Sequence, residues 1–390
     1  RDDVESRGLG DVYKRQYINI GGLIMSEIKR IGVMTGGGDC PGLNAVIRAV
    51  VKTAILKYGL EVVGIKHGYR GLYLGEDEFV PLSLHDVSGI ISKGGTMLYS
   101  SNKDNLFDYS YIDEHGQEQR GDVSDVGVNN LKKAGIDALI VIGGDGTLTS
   151  GRDFARKGVK VIGVPKTIDN DLASTDTTFG FDTAVATATE SIDKLRTTAE
   201  SHSRTIVVEV MGRYAGFIAI ASAIAGGADA ALIPEIPYDI NKVADAIKEN
   251  RARGKNFAIV VVAEGAKPIG GDVVISKVID NSPDPIRLGG VGEVIAGQLE
   301  HLAGLECRAT ILGHTQRGGS PTSNDRILST RYGSYAVELL MEGKFGNMVV
   351  LDGTKLGYDS LENVIGKNKA VEEDGYWIKT ARAIDMCLGD

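Results

Sequence analysis

Two glycine-rich segments follow apolar runs and carry residue types suited to phosphate chemistry. They are TGGGDCPGLNA at residues 35–45 and VIGGDGTLTSG at residues 141–151. Glycines let backbone N–H groups face a phosphate, and the N-terminus of a following helix adds a favourable dipole. Asp145 lies between glycines, where its carboxylate can hold Mg²⁺ on a bound polyphosphate. The two segments predict phosphoryl transfer, with tight strand-to-helix turns as the alternative.

A third segment, PKTIDNDLASTDTTFGFDTA, supplies a pair of carboxylates. Asp169 and Asp171 lie two residues apart, next to Thr167. One carboxylate can accept the proton of an acceptor hydroxyl while the other supports a metal shell. Capping of a turn is the alternative for Asp169 alone, and the two glycine-rich segments favour the catalytic interpretation.

Further charged residues follow later apolar runs. Arg213, in VEVMGRYAGFIA, can neutralise a transferring phosphoryl group or hold an anionic substrate. Glu264, in VVAEG, can accept hydrogen bonds from sugar hydroxyls. The segment RATILGHTQRGGSP offers a set suited to a sugar phosphate: Arg308, His314 and Arg317.

The elements between these residues must bring them together. Short runs rich in Val and Ile alternate with helix-like segments, the pattern of parallel strands buried on both faces. Strands are predicted at residues 31–35, 61–66, 138–144, 159–165, 204–212, 230–235 and 257–265, and helices at residues 43–58 and 217–225. Ligands of such sheets bind at the carboxyl ends of the strands, where every motif lies. The pattern predicts an α/β fold with mainly parallel sheets.

Length and composition narrow the class of protein. A chain of 390 residues exceeds what one core usually supports, so two domains are expected. The net charge of −9 disfavours binding of nucleic acid or an anionic membrane through the whole surface, and no apolar run reaches the roughly 18 residues of a membrane span. Three dispersed cysteines favour a reducing cytoplasm. Arg1 to Ile24 are expected to be a non-native tail, with Met25 as the true start.

Together the motifs resemble those of the 6-phosphofructokinase family, A type, in its subgroup of mixed phosphoryl donors. The resemblance extends from Lys29 to Leu340 and weakens after Gly343. It implies two Rossmann-like three-layer α/β/α domains with the active site in the cleft between them. The implied nucleotide-binding domain spans residues 28–180 and about 316–366, and the implied fructose 6-phosphate domain spans residues 181–315 and about 367–390.

The same resemblance implies an activity and an assembly. A cytoplasmic homodimer or homotetramer is expected to transfer the γ-phosphoryl group of Mg-ATP to the 1-hydroxyl of fructose 6-phosphate. Asp169 is implied as the base, assisted by Thr167 and Arg213, and Asp145 as the magnesium ligand. The implied nucleotide contacts are Gly37, Tyr69, Lys103, Gly146 and Thr147. The implied sugar-phosphate contacts are Thr167, Asp169, Asp171, Arg204, Met211, Gly212, Arg213, Glu264, Arg308, His314 and Arg317. Arg204 and Arg308 match arginines that act across a subunit interface.

Two positions bear on the phosphoryl donor. An aspartate after Asp145 would repel a nucleotide α-phosphate, and Gly146 leaves room, which favours ATP. Lys166 is typical of pyrophosphate enzymes, so a pyrophosphate-dependent enzyme is the alternative. Asn102 takes the place of an arginine that bridges the two substrates in many relatives, and Lys103 beside it can supply the charge. A catalytically silent subunit is a weaker alternative, because the acidic and basic site residues are all present. A lipid or dinucleotide kinase is also weaker, because it would share GGDGT but would not need PKTIDND together with MGRYAG and GHTQRGGSP.

Overall fold

The computed structural model describes residues 28–113, 115–278 and 285–390. The expected tail, Arg1 to Ile24, and the expected start at Met25 lie outside the described residues. Within the described ranges, none of the helices is long and apolar enough to cross a membrane.

The described residues form strands and helices in alternation. The strands are β1 (Arg30–Thr35), β2 (Glu61–Ile65), β3 (Phe79–Leu82), β4 (Tyr109–Ile112), β5 (Glu118–Gly121), β6 (Ala138–Gly143), β7 (Val161–Thr167), β8 (Phe179–Gly180), β9 (Thr205–Val210), β10 (Ala230–Leu232), β11 (Ala258–Ala263), β12 (Ile275–Val278), β13 (Ile286–Leu288), β14 (Cys307–Ile311), β15 (Asn347–Asp352) and β16 (Lys355–Ser360). The α-helices are α1 (Leu43–Tyr58), α2 (Tyr69–Leu74), α3 (Ser124–Lys133), α4 (Asp145–Arg156), α5 (Phe181–His202), α6 (Phe217–Gly226), α7 (Ile240–Ala252), α8 (Val291–Ala303), α9 (Ser323–Met341), α10 (Leu361–Val364) and α11 (Tyr376–Ala383).

Two mainly parallel sheets organise the chain. The larger has the order β16-β15-β7-β6-β1-β2-β3, with β8 paired to β7. Its central strands are parallel, and the edge strands β3 and β16 are antiparallel to their neighbours. The smaller sheet, β10-β11-β9-β14, is parallel throughout. The predicted α/β fold with mainly parallel sheets is confirmed.

Both faces of each sheet are buried. In β6, Leu139 and Val141 pack into one hydrophobic cluster, while Ile140 and Ile142 pack into another. Alternate residues of β11 divide between two clusters in the same way. One of these clusters is continuous from the larger sheet through α5 and α6 to the smaller sheet, so the two sheets share apolar packing.

Helix α1 shows how local sequence defines an element. It spans Leu43–Tyr58, the predicted range, and most of its apolar residues recur at helical spacing and are buried. Gly42 and Gly59 flank it with φ angles of 111° and 67°, a region that favours glycine, and Gly59 ends the helix as an αL cap. Its buried face packs against α9. The helix therefore follows the first glycine-rich loop in a fixed direction.

The strand predictions are confirmed in position but not in every boundary. Strand β7 was expected to end at residue 165 and ends instead at Thr167, because Lys166 and Thr167 pair with Phe179 and Gly180 of β8. We propose the domain boundaries predicted above, since the larger sheet draws on residues 30–180 and 347–360 and the smaller on residues 205–311.

Candidate active site

The two glycine-rich loops lie side by side and pack through Thr147. Strands β1 and β6 are neighbours, and the Gly36 N–H donates to the Ile142 carbonyl at 2.9 Å. A Cβ at Gly36 would lie 2.6 Å from the Thr147 Cγ2, and one at Gly143 would lie 2.3 Å from the Thr147 Cβ. These two glycines are therefore required for contact between the loops, and their approach to a phosphate stays a prediction.

The second loop presents Asp145 and Gly146 at the start of α4. Gly146 is exposed, and a Cβ there would meet no atom within 4 Å. Asp145 is the first residue of α4, and one of its carboxylate oxygens accepts the Gly366 N–H at 2.9 Å. The described residues contain no cluster of three or more metal-binding side chains. A single carboxylate beside a polyphosphate site fits Mg²⁺, which keeps several waters and takes phosphate oxygens as ligands.

Tyr69 lies beneath these loops and not on their surface. Only 4% of its surface is exposed, its hydroxyl donates to the Thr147 carbonyl at 2.7 Å, and its ring stacks on Phe154. The Tyr69 hydroxyl therefore supports the second loop from below, and contact of Tyr69 with the nucleotide stays a prediction. Lys103 is exposed, two residues after Ser101, whose carbonyl accepts the Gly37 N–H at 2.9 Å.

A cavity of about 480 Å³ opens in front of the first loop. Its lining residues are Gly37, Gly38, Asp39, His67, Thr96, Tyr99, Ser100 and Asn102. The rings of His67 and Tyr99 stack at 4.8 Å, and both residues have φ angles of 57°. Sequence reasoning missed this pair, because its members lie 32 residues apart and neither carries a motif.

The acidic loop after β7 holds Asp169 in an unusual environment. Asp169 is 5% exposed, its backbone N–H donates to the Thr167 hydroxyl at 3.0 Å, and its carboxylate oxygen Oδ1 is buried without a hydrogen-bond partner among the described residues. Burial raises the pKa of Asp171 to about 6, and the charge of Asp169 contributes to the rise, whereas a hydrogen bond from Thr167 lowers it. A buried, unpartnered carboxylate oxygen is able to accept a proton from a substrate hydroxyl.

Two cations support the first loop from the side of the acidic residues. The Lys166 ammonium is 3% exposed and donates to the Gly38 carbonyl, and burial lowers its pKa. The Arg317 Nη1 donates to the Asp39 carbonyl at 3.2 Å, from the 3₁₀ helix Gly313–Arg317. Both charges therefore lie where a phosphate on this loop would be attracted.

The smaller sheet places further predicted sugar-phosphate contacts next to the acidic loop and the first glycine-rich loop. Met211, Gly212 and Arg213 follow β9, and the Arg213 N–H donates to a Glu264 carboxylate oxygen at 3.1 Å. Burial raises the pKa of Glu264 to about 7, the charge of Asp169 adds to the rise, and Arg317 opposes it. Arg213 also lowers the pKa of Asp171. These electrostatic interactions place Arg213 and Glu264 beside the acidic pair, at one site between the two sheets.

The remaining predicted residues are more peripheral. His314 lies exposed in the same 3₁₀ helix as Arg317. Arg204 and Arg308 lie at the starting edge of the smaller sheet, where both pair with Glu306. A strand rises about 3.3 Å per residue, so Arg204 lies roughly 20 Å along β9 from Met211. Neither arginine reaches the site of its own chain.

Similar proteins fall within one family. A sequence profile described as Phosphofructokinase matches residues 30–340. A protein of Clostridium perfringens named ATP-dependent 6-phosphofructokinase 2 is 62% identical over 94% of this chain and 100% of its own length. A protein of Amycolatopsis methanolica named pyrophosphate–fructose 6-phosphate 1-phosphotransferase is 48% identical over 89% of this chain and 97% of its own. The solved structure of phosphofructokinase from Saccharomyces cerevisiae is 30% identical with a TM-score of 0.73, covering 92% of this chain and 47% of the yeast chain, about half its length.

Proposed function

The chain belongs to the phosphofructokinase family, and we propose that it transfers the γ-phosphoryl group of ATP to the 1-hydroxyl of fructose 6-phosphate. The 62% identical relative carries the name of an ATP-dependent enzyme and is matched over its whole length. The structural observation that carries the proposal is the buried, unpartnered carboxylate oxygen of Asp169 beside two glycine-rich loops.

In this proposal each charged residue has a separate task. Asp169 accepts the proton of the 1-hydroxyl as that oxygen attacks the γ-phosphorus, and the β-phosphate leaves with the bond electrons. Arg213 and Arg317 offset negative charge that spreads over the transferring group. Thr167 orients Asp171 beside the base through its hydrogen bond. Asp145 is the residue that would hold Mg²⁺, which neutralises phosphate charge when it is bound.

Donor choice rests on the surroundings of Gly146. The position is exposed and faces open space, so an α-phosphate and nucleoside can extend past it. Pyrophosphate is the second candidate, because Lys166 places a buried ammonium against the first loop and a 48% identical relative is named for that donor. The buried ammonium attracts a terminal phosphate of either donor, whereas only ATP needs the space at Gly146.

A donor assay tests this proposal directly. Purified protein, fructose 6-phosphate and Mg²⁺ are incubated with either ATP or pyrophosphate, and fructose 1,6-bisphosphate is measured by a coupled assay. We expect kcat/KM to be at least about tenfold higher with ATP, or about 1.4 kcal/mol. Turnover with pyrophosphate but not ATP would overturn the donor assignment, and turnover with neither would overturn the activity.

We propose a cytoplasmic homodimer or homotetramer with shared active sites. Arg204 and Arg308 lie far from the site of their own chain, and the sugar-phosphate site already holds Arg213 and Arg317. A neighbouring subunit whose smaller sheet presents its starting edge to this cleft would supply the two further cations. Each site is then complete only in the assembled protein.

A further inference from the structure

A short segment near the end of the described chain touches both halves of the active site. We call residues 366–371 the strap. It follows α10 and lies beyond the region that matches the family profile, which ends at residue 340. The Gly366 N–H donates to Asp145 Oδ1 at 2.9 Å, and the Lys369 N–H donates to the Asp171 carbonyl at 2.8 Å. The strap therefore contacts the implied metal carboxylate and the acidic loop at once.

The strap also reaches the loop that carries Arg213. The Val371 N–H donates to Glu235 Oε1 at 2.8 Å, and the same carboxylate accepts the Gly216 N–H at 2.9 Å. Glu235 thus ties the strap to the start of α6, on the side of the smaller sheet. Hydrogen bonds to an ionised carboxylate are stronger than those between neutral groups. Three active-site loops are therefore linked through six residues.

The Lys369 side chain makes the densest set of these contacts. Its ammonium donates to Asn170 Oδ1 at 3.2 Å, to the Thr175 carbonyl at 2.9 Å and to the Asp176 carbonyl at 2.8 Å. These bonds use all three hydrogens that an ammonium can donate. The Phe217 ring covers it with its centroid 5.3 Å away. No neutral side chain of this size can donate in three directions, so the charge and the shape of lysine are both used.

Asn170, which accepts a hydrogen bond from the Lys369 ammonium, connects the two members of the acidic pair. Asn170 lies between Asp169 and Asp171 and has a φ angle of 55°, a conformation that asparagine tolerates better than most residues. Its Oδ1 accepts the Thr178 N–H at 3.1 Å in addition to the Lys369 ammonium. A change in φ at Asn170 would rotate the two carboxylates relative to each other. Hydrogen bonds that hold Asn170 in this conformation therefore also hold the relative orientation of Asp169 and Asp171.

We infer that Lys369 is a positioning residue for phosphoryl transfer, because it clamps Asn170 and the turn at residues 175–176 and so orients Asp169 and Asp171. The inference rests on the proposed function, in which Asp169 is the base. The Lys369 ammonium donates to Asn170, Thr175 and Asp176 and to no reacting atom, whereas its bond to Asp171, an implied sugar contact, is made by the backbone N–H, which a substitution keeps. Loss of the side chain should therefore lower kcat and leave substrate binding nearly unchanged. Misplacement of a catalytic group by about 1 Å can cost about 100-fold in rate.

The test compares Lys369→Met with Lys367→Met, whose side chain is exposed on the same strap. We expect Lys369→Met to lower kcat by about 10–100-fold, with both KM values changed less than threefold, and Lys369→Arg to recover part of the loss. Lys367→Met should match the wild type. An unchanged kcat in Lys369→Met, or a rise in KM with kcat unchanged, would overturn the inference.

Two further measurements separate this inference from the proposed function. In the Asp169→Asn background, Lys369→Met should have little additional effect on kcat, because both changes act on one base. If the double variant instead lost activity by the product of the two single effects, the positioning role would be contradicted.

Hydrogen exchange can be measured without an activity assay. Amides of residues 169–178 should exchange at least about tenfold faster in Lys369→Met, while those of β9 stay unchanged. Equal exchange rates in Lys369→Met and the wild type would overturn the proposed role of Lys369, whichever donor or substrate the enzyme uses.

Discussion

Replacement of Asp169 by asparagine should reduce activity and raise thermal stability in the same protein. The Asp169 Oδ1 is buried and unpartnered among the described residues, and the side chain adds negative charge beside Asp171 and Glu264. The substitution keeps the shape and removes the charge. The effect of Asp169→Asn on stability therefore measures the cost of burying this carboxylate oxygen without a hydrogen-bond partner. Its effect on rate measures the loss of the base.

Both magnitudes can be worked out. A buried polar group without a partner costs about 1–3 kcal/mol. The unfolding entropy of about 2.1 cal/mol/K per residue gives roughly 0.8 kcal/mol/K for 390 residues. Relief of the cost should therefore raise Tm by about 1–4 °C in the ligand-free protein. Loss of a general base should lower kcat by about 10²–10⁴-fold.

A matched control is provided by Asp325, which is 1% exposed but fully hydrogen-bonded. Its carboxylate accepts the N–H groups of Gly180 and Thr183, at 2.9 and 2.8 Å, and the Thr183 hydroxyl. Asp325→Asn should therefore lower Tm. Differential scanning calorimetry at pH 7.5 and steady-state kinetics provide both readouts. A fall in Tm for Asp169→Asn similar to that for Asp325→Asn, or a near-normal kcat, would refute the reasoning.

Three further outcomes follow from the site. Gly146→Asp should fold normally because its Cβ meets open space, yet lose about 100-fold or more in kcat/KM for ATP through repulsion of the α-phosphate; an unchanged donor preference in kinetics would contradict this. The raised pKa of Glu264, about 7, means that this group stabilises the fold fully below its unfolded pKa and loses that contribution as pH rises through 7. In the proposed function the ionised form of Glu264 accepts sugar hydroxyls, so KM for fructose 6-phosphate should fall as pH rises through 7, and a Glu264→Gln variant with an equally steep pH profile would exclude this role. Arg308→Ala and Asp169→Asn, each weakly active alone, should recover activity when denatured and refolded together, and no recovery would argue against sites shared between subunits.

The sequence predicted those elements whose structure depends mainly on residues close to one another in the chain. The apolar spacing of α1 and its two flanking glycines predict the helix without reference to the rest of the chain. The buried strands follow for the same reason, and so does the position of Asp145, Asp169 and Arg213 at strand ends. The motifs therefore predicted which residue types meet, because parallel strands share one carboxyl edge.

Contacts between distant segments were not predictable in this way. The Tyr69 hydroxyl donates to the carbonyl of Thr147, 78 residues later, a contact that no local pattern indicates. Gly36 lies so close to the same threonine that a Cβ would clash with it. Lys369 carries no motif, and its role depends on partners 193–199 residues away. Tertiary packing brings such partners together, and a local sequence pattern contains no information about it.

The strap also sets an order of events during synthesis. Gly366 is made 221 residues after Asp145, its hydrogen-bond partner. At about 5–20 residues per second, a ribosome needs roughly 10–45 s to pass from one to the other. Once residue 171 has been added, the nascent chain holds both glycine-rich loops and the acidic pair, but lacks the segment that links them. The enzyme therefore gains its working geometry late, after its substrate-contacting residues have all been made.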